Sequence, residues 1–368
     1  MDDESGSTGR RTTQGRTAPT VTSVSSRPIA SIKILLLLVI LLIVFLLDLL
    51  SGSVHISLFQ SISTLFHPSA ADPQISTILY QFRIPKAITA VMAGAALSVA
   101  GLQMQTVFRN PIAGPDILGV SSGASLGVAL FVLSTGWIFK GTLLFSMAGS
   151  WGLVLAACIG AGCMMALVVL IASRLRDLMT VLILGILISS AVLSIVSVLQ
   201  YFSNESSLKS FIVWTMGSLG STTIDQLWVF VPAVFAGLII SFISAKFLDA
   251  FLLGENYARS MGMNIRTAYL LVFASTAILT GSVTAFCGPI GFVGIIVPHL
   301  ARRFFVTPLH NLLIPATMVM GAIVMLIGDL ISQLPGFETT LPINSVTALL
   351  GIPVVIWIIF RQKRIGGM

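Results

Sequence analysis

Residues 34 to 50 read ILLLLVILLIVFLLDLL, and apolar runs of this kind recur almost to the end of the chain. Runs of about 18 or more nearly uncharged residues match a helix crossing a bilayer core of roughly 30 Å. Such a chain is restricted to very few architectures, because backbone polar groups in hydrocarbon must be satisfied within the helix itself. Only 9% of the residues are charged, against 56% hydrophobic, and the mean hydropathy is +1.01. A soluble domain so poor in charge would expose large apolar patches and aggregate. The expected fold is therefore an all-α polytopic membrane protein.

Hydropathy and helix breakers place ten spans, at about 33–50, 84–108, 117–136, 142–172, 180–202, 226–247, 268–284, 290–306, 312–331 and 343–360, with a shorter helix within 208–220. With the N-terminus inside and every span crossing, only Arg83, Lys86, Lys140 and Lys209 of the 20 Lys and Arg fall outside. The positive-inside rule supports that orientation, with both termini cytoplasmic. Residues 1–30, rich in Ser, Thr, Gly and Arg, read as a disordered cytosolic tail ahead of a single transmembrane domain over 31–368. The first apolar run is too long for a signal-peptide core, and SGSVHIS after it makes no convincing cleavage site. The net charge of +7 is scattered between spans and forms no basic domain, so no nucleic-acid partner is expected. Cys158, Cys163 and Cys287 fall inside apolar stretches and offer neither a disulfide framework nor metal-ligand spacing.

The energy source is not visible in the chain. Of its 13 acids only Asp48 and Asp329 fall within spans, both near an outer end, whereas ion-coupled transporters usually bind their ion near the midplane. The four histidines lie at span edges or in loops, and no phosphate-binding loop of the G-x-x-x-x-G-K-[ST] type is present. Uphill transport would then draw on another subunit. A secondary transporter acting alone is the alternative reading, and a non-transporting scaffold a third. The longest inside loop, 245–268, reads as a short amphipathic helix, Gly254, and then ENYARSMGMNI. Glu255 and Arg259 can pair there at i,i+4, either as part of a docking surface or as a stabilised connector.

One stretch breaks the pattern: RNPIAGPDILGVSSGAS, 109–125, crowds two prolines and three glycines between two spans. Pro111 and Pro115 stop a helix, and Gly114 and Gly119 permit sharp turns. Irregular backbone at membrane depth is tolerated where protein or an aqueous cavity satisfies it.

Several segments resemble the permease subunits of type II ATP-binding-cassette importers, which carry iron-siderophores, haem and cobalamin. RIPKAITAVMAGAALSVAGLQMQTVFRNPIAGPDILGVSSGASLG (83–127), LLGENYARSMGMNI (252–265), GSVTAFCGPIGFVGIIVPHLAR (281–302) and LPINSVTALLGIPVVIWII (341–359) are similar to that family's motifs, in its order. The resemblance implies a multi-pass protein of a bacterial cytoplasmic (inner) membrane, working as a homodimer. Its partners would be two ATPase subunits, which hold the ATP and Mg, and an extracytoplasmic substrate-binding protein. This chain itself would bind no cofactor or metal and catalyse no reaction.

Residue by residue, the resemblance makes 248–265 the ATPase-coupling segment, with Gly254, Glu255, Ala258, Arg259 and Gly262 at the matching positions. It makes Asn110, Pro111 and Ile112, in a loop that closes the cytoplasmic end of the pathway, gate residues. Leu178 and Met179 stand where some relatives place a second inner gate built from small hydroxyl residues, so an apolar closure is expected. Arg83 and Lys86 match the basic residues that meet a binding protein, with Lys replacing a second Arg and losing its bidentate fork. Gln333 stands where some relatives carry a further Arg, so docking there rests on fewer charges or on another base such as Lys209. Which chelate is carried is left open.

Overall fold

The computed structural model describes residues 26–52, 57, 60, 63–64, 72–133, 143–174, 178–333 and 340–365. The helices are α1 (Ser26–Leu50), α2 (Pro73–Val107), α3 (Val120–Leu133), α4 (Leu143–Arg174), α5 (Leu178–Tyr201), α6 (Glu205–Thr215), α7 (Ile224–Ile243), α8 (Ala245–Leu253), α9 (Glu255–Ser260), α10 (Ile265–Cys287), α11 (Val293–Phe305), α12 (His310–Ser332) and α13 (Ile343–Ile365). No strand occurs among the described residues. Each of the ten apolar segments expected from the sequence is helical. Seven are long and apolar enough to cross a bilayer: α1, α2, α4, α5, α7, α10 and α12. The apolar helix α3 is shorter, α13 is apolar over Ile343–Trp357, and α11 is a 13-residue helix. The tail assignment over 1–25 lies outside the described residues, and α1 already begins at Ser26.

α2 is the central helix. In its most apolar window 83% of residues are buried, against 6% for α1, which packs on α12 at the periphery. The stretch AGAALSVAG at 93–101 explains this position, since small residues let helix backbones approach where lipid gives no hydrophobic force. A Cβ at Gly94 would overlap the Gly321 carbonyl of α12, and one at Gly101 would overlap the Gly294 carbonyl of α11. α10 covers another side of α2 and also packs on α4 and α7. Some of the polar groups buried between these helices find partners, while the Ser98, Ser241, Thr280 and Thr317 hydroxyls have none among the described residues. Gln103 donates to the Ser275 hydroxyl (3.1 Å) and accepts from Thr276 (3.0 Å), while Ser275 donates to the Gly237 carbonyl of α7 (2.8 Å).

α2 begins 11 residues earlier than expected, and its outer part is irregular. Residues Ile78–Arg83 form a π turn, in which the Ile84 amide reaches back to the Leu79 carbonyl. Pro85 follows at once. A proline in a regular helix clashes with the carbonyl four residues earlier, and the wider turn relieves that clash. Arg109, Phe292 and Val306 hold φ of 47°, 67° and 52°, at the end of α2 and on either side of α11. Bulky residues rarely adopt this region, and surrounding structure must hold them there.

Candidate functional site

At the inner end α8 runs into α9 through Gly254, whose φ of 117° favours glycine; Gly262, at φ 81°, ends the segment after α9. Ala258 is fully buried and anchors α9. Glu255 and Arg259 do pair, at 3.3 Å, on the exposed side, and the Glu255 carboxylate lies near the Tyr269 side chain on α10. Around them the sequence reading missed Leu253, Tyr257 and Met261, which are 66%, 52% and 65% exposed. The available signal was apolar residues beside a charge pair on an inside loop; Gly254 breaks the helix between Leu253 and Tyr257, so their spacing marks no continuous helical face.

The segment after α2 is a compact loop. The Asn110 side-chain oxygen accepts from the Ile112 amide (3.1 Å), and its backbone carbonyl accepts from the Ala113 amide (3.0 Å). Asn110 therefore shapes the turn, and Ile112 is the exposed member, with Pro111 half-buried between them. Pro115–Leu118 form a 3₁₀ turn before α3. Within that turn, burial pushes the Asp116 carboxyl above its usual range, while the Ser121 hydroxyl, donating at 2.5 Å, opposes the shift. Leu178 and Met179 open α5, and their side chains lie outside the described residues.

Side chains from other helices anchor this loop. Gln105 donates to the Ile295 carbonyl (2.9 Å) and accepts from Arg302 (2.6 Å), and its backbone carbonyl accepts from the Asn110 amide (3.2 Å). The Arg109 guanidinium donates to the Phe251 carbonyl near the end of α8 (2.8 Å). The loop expected to close the pathway and the segment expected to dock the ATPase are thus in direct contact.

At the outer end a cavity of about 540 Å³ opens among α1, α2, α6, α12 and α13. Arg83 and Lys86 line it together, but neither projects as a simple surface cation. Arg83 is only 7% exposed and donates to the Leu49 and Leu50 carbonyls (2.8 and 3.0 Å), satisfying the last turn of α1. Lys86 pairs with Asp329 at 2.8 Å. Gln333 donates to Asp329 (2.7 Å) and to Asp48 (3.2 Å), so one amide bridges two buried carboxylates. Lys209 is exposed on α6. A cation at position 333 would leave the cavity more positive than the neutral glutamine does. Gln333→Leu removes the bridging donor and is expected to lower stability by about 1–3 kcal/mol. Thermal unfolding of the detergent-solubilised protein checks this, and an unchanged midpoint would mean that the bridge is dispensable.

Among the described residues no group of three or more His, Cys, Asp or Glu side chains is placed to hold a metal ion.

Comparison with known proteins gives a consistent answer. The chain is 33% identical over 317 residues to the hemin transport system permease protein HmuU of Yersinia pestis, covering 85% of this chain and 92% of that one. It is 32% identical over 288 residues to the vitamin B12 import system permease protein BtuC of Klebsiella pneumoniae, covering 78% and 84%. Its fold matches the solved inward-facing conformation of a metal-chelate type ABC transporter with a TM-score of 0.77 and 28% identity, over 90% of this chain and 99% of that one. The family model described as the FecCD transport family matches residues 40–361, most of the length and nearly all of the helical bundle; the chain belongs to the FecCD transport family.

Proposed function

We propose that this chain is the transmembrane permease of an ATP-binding-cassette importer in a bacterial cytoplasmic membrane, with both termini in the cytoplasm. The cargo is a large chelate: haem or a cobalamin, as the names of the hemin and vitamin B12 permeases suggest, or an iron-siderophore. Two copies of the chain enclose the pathway. Two separate ATPase subunits carry ATP and Mg, and a substrate-binding protein delivers the cargo from outside. The observation that carries this reading is the inner segment 253–261, where the exposed Leu253, Tyr257 and Met261 accompany the Glu255–Arg259 pair in a FecCD-family chain. A solvated connector has no use for Leu253, Tyr257 and Met261 in water; an ATPase cleft would bury them.

The outer cavity is the counterpart for the binding protein. Lys86, with 19% of its side chain exposed, is the base available to an acidic side chain, while Arg83 holds α1 against α2 and shapes the rim. Asn110, Pro111 and Ile112 form the inner closure, Asn110 by holding the turn that presents Ile112.

The test is to co-purify the chain with its candidate ATPase, reconstitute both in liposomes, and measure ATP turnover and uptake with and without loaded binding protein. Stimulated turnover with uptake is the expected result. Failure to associate, with uptake driven instead by an ion gradient, would establish a secondary transporter and overturn the proposal.

A further inference from the structure

The N-terminus of α12 lacks a cap of its own: Leu309 stands at the N-cap and offers no side-chain oxygen. The missing acceptor comes from α8. Asp249 Oδ1 accepts from the His310 amide at 2.8 Å and from His310 Nδ1 at 2.7 Å. A carboxylate is suited to a helix N-terminus, where unpaired amides and the helix dipole favour negative charge. Because an ionised carboxylate only accepts, Nδ1 carries a proton. The other ring nitrogen, Nε2, then accepts the single proton of the Thr106 hydroxyl of α2 at 2.9 Å, for which the Leu102 carbonyl, also at 2.9 Å, is the competing acceptor. His310 is 1% exposed and Thr106 2%, so water does not compete for these bonds. The chain Asp249–His310–Thr106 therefore joins three helices. It ends three residues before Arg109, whose guanidinium returns to the Phe251 carbonyl of α8.

We propose that Asp249 and His310 are positioning residues that transmit movement of the ATPase-coupling segment to the 109–114 loop. α8 and α9 are joined only through Gly254, so a load on α9 passes directly into α8. Asp249 obliges the start of α12 to follow α8, and His310 obliges the end of α2 to follow α12. Thr106 and Arg109 thus hold the loop from two sides. A bonded chain of this kind supports transmission only if the bonds act together, which makes non-additivity its signature.

This inference rests on the importer reading, and its test separates the two. In the reconstituted complex with its ATPase and binding protein, Asp249→Ala is expected to reduce cargo moved per ATP hydrolysed by about fivefold or more. Asp249→Asn keeps an acceptor oxygen for both His310 donors and should recover most of that loss. Thr106→Val should also lower the ratio, and the double variant Asp249→Ala/Thr106→Val should be no worse than Asp249→Ala alone. An unchanged ratio in Asp249→Ala, or effects that multiply in the double variant, would overturn the proposal. If the wild-type complex shows no ATP-driven uptake, the importer reading fails instead. The link is then read by amide hydrogen exchange on the solubilised chain. Exchange over 106–113 should rise in Asp249→Ala and return toward wild type in Asp249→Asn; no rise would overturn the link independently of transport.

Discussion

Glu255→Arg is expected to reduce ATP-driven uptake by at least about tenfold while wild-type amounts of protein reach the membrane; tenfold corresponds to only about 1.4 kcal/mol of lost interaction. The two effects separate because of where the residue sits. Its pair with Arg259 is 3.3 Å long and exposed on both sides, so it contributes about 0.3–0.5 kcal/mol to folding. At a buried interface, breaking a hydrogen-bonded charge pair costs about 2–5 kcal/mol, enough to release a docked subunit. Reversal also places two guanidiniums at i,i+4 on a six-residue helix. Measurements of uptake and of ATPase retained on co-purification check this. The double reversal Glu255→Arg/Arg259→Glu decides what the pair is for. It restores the intrahelical attraction, and under the docking reading uptake stays low. Recovered uptake would reduce the pair to a helix-stabilising contact.

Gly101→Ala is expected to leave little or no monodisperse protein after solubilisation. The new methyl would meet the Gly294 carbonyl itself and not the tip of a flexible side chain, so two helix backbones must separate. Both helices are buried and packed against others, which leaves no direction in which to relax. Gly162→Ala on α4 is the matched control. Its added methyl has nothing within 4 Å, and alanine is the better helix former by about 1 kcal/mol. Fluorescence-detected size exclusion of both variants gives the comparison. Equal, sharp peaks would mean that the α2–α11 contact is looser than the structure shows.

The spans were legible because each is a long apolar run; Gly marks ends such as Gly254 and Gly288, whereas Pro232, Pro298, Pro315 and Pro353 lie inside helices. What hydropathy did not convey was rank: α1, the most apolar run, is the outermost, and α2, with its alanines and glycines, is the centre. The i,i+4 pair of Glu255 and Arg259 was visible because both partners lie on one turn. Asn110 was placed correctly in a tight loop, yet its side chain is occupied by the Ile112 amide, a detail set by backbone dihedrals. The bonds from Gln333 to Asp48 and from Asp249 to His310 join residues 285 and 61 positions apart. Residue types and local spacing carry no trace of such pairs in a single sequence. Arg83 shows the same limit, since its position at a span end suited a surface cation, while the π turn swings it inward onto α1.

α2 and α12 touch at three levels: Lys86 with Asp329, Gly94 with Gly321, and Thr106 with His310. Each pair of numbers sums to nearly the same value, the arithmetic of two antiparallel rods riveted in register. From Lys86 to Thr106 such a rod measures about 30 Å, close to the thickness of a bilayer core. A strut pinned at top, middle and bottom resists shear between its halves, so a tilt applied at one face emerges at the other without being absorbed along the way. A binding protein pressing near Lys86 and an ATPase pulling near Thr106 would then be working opposite ends of the same beam.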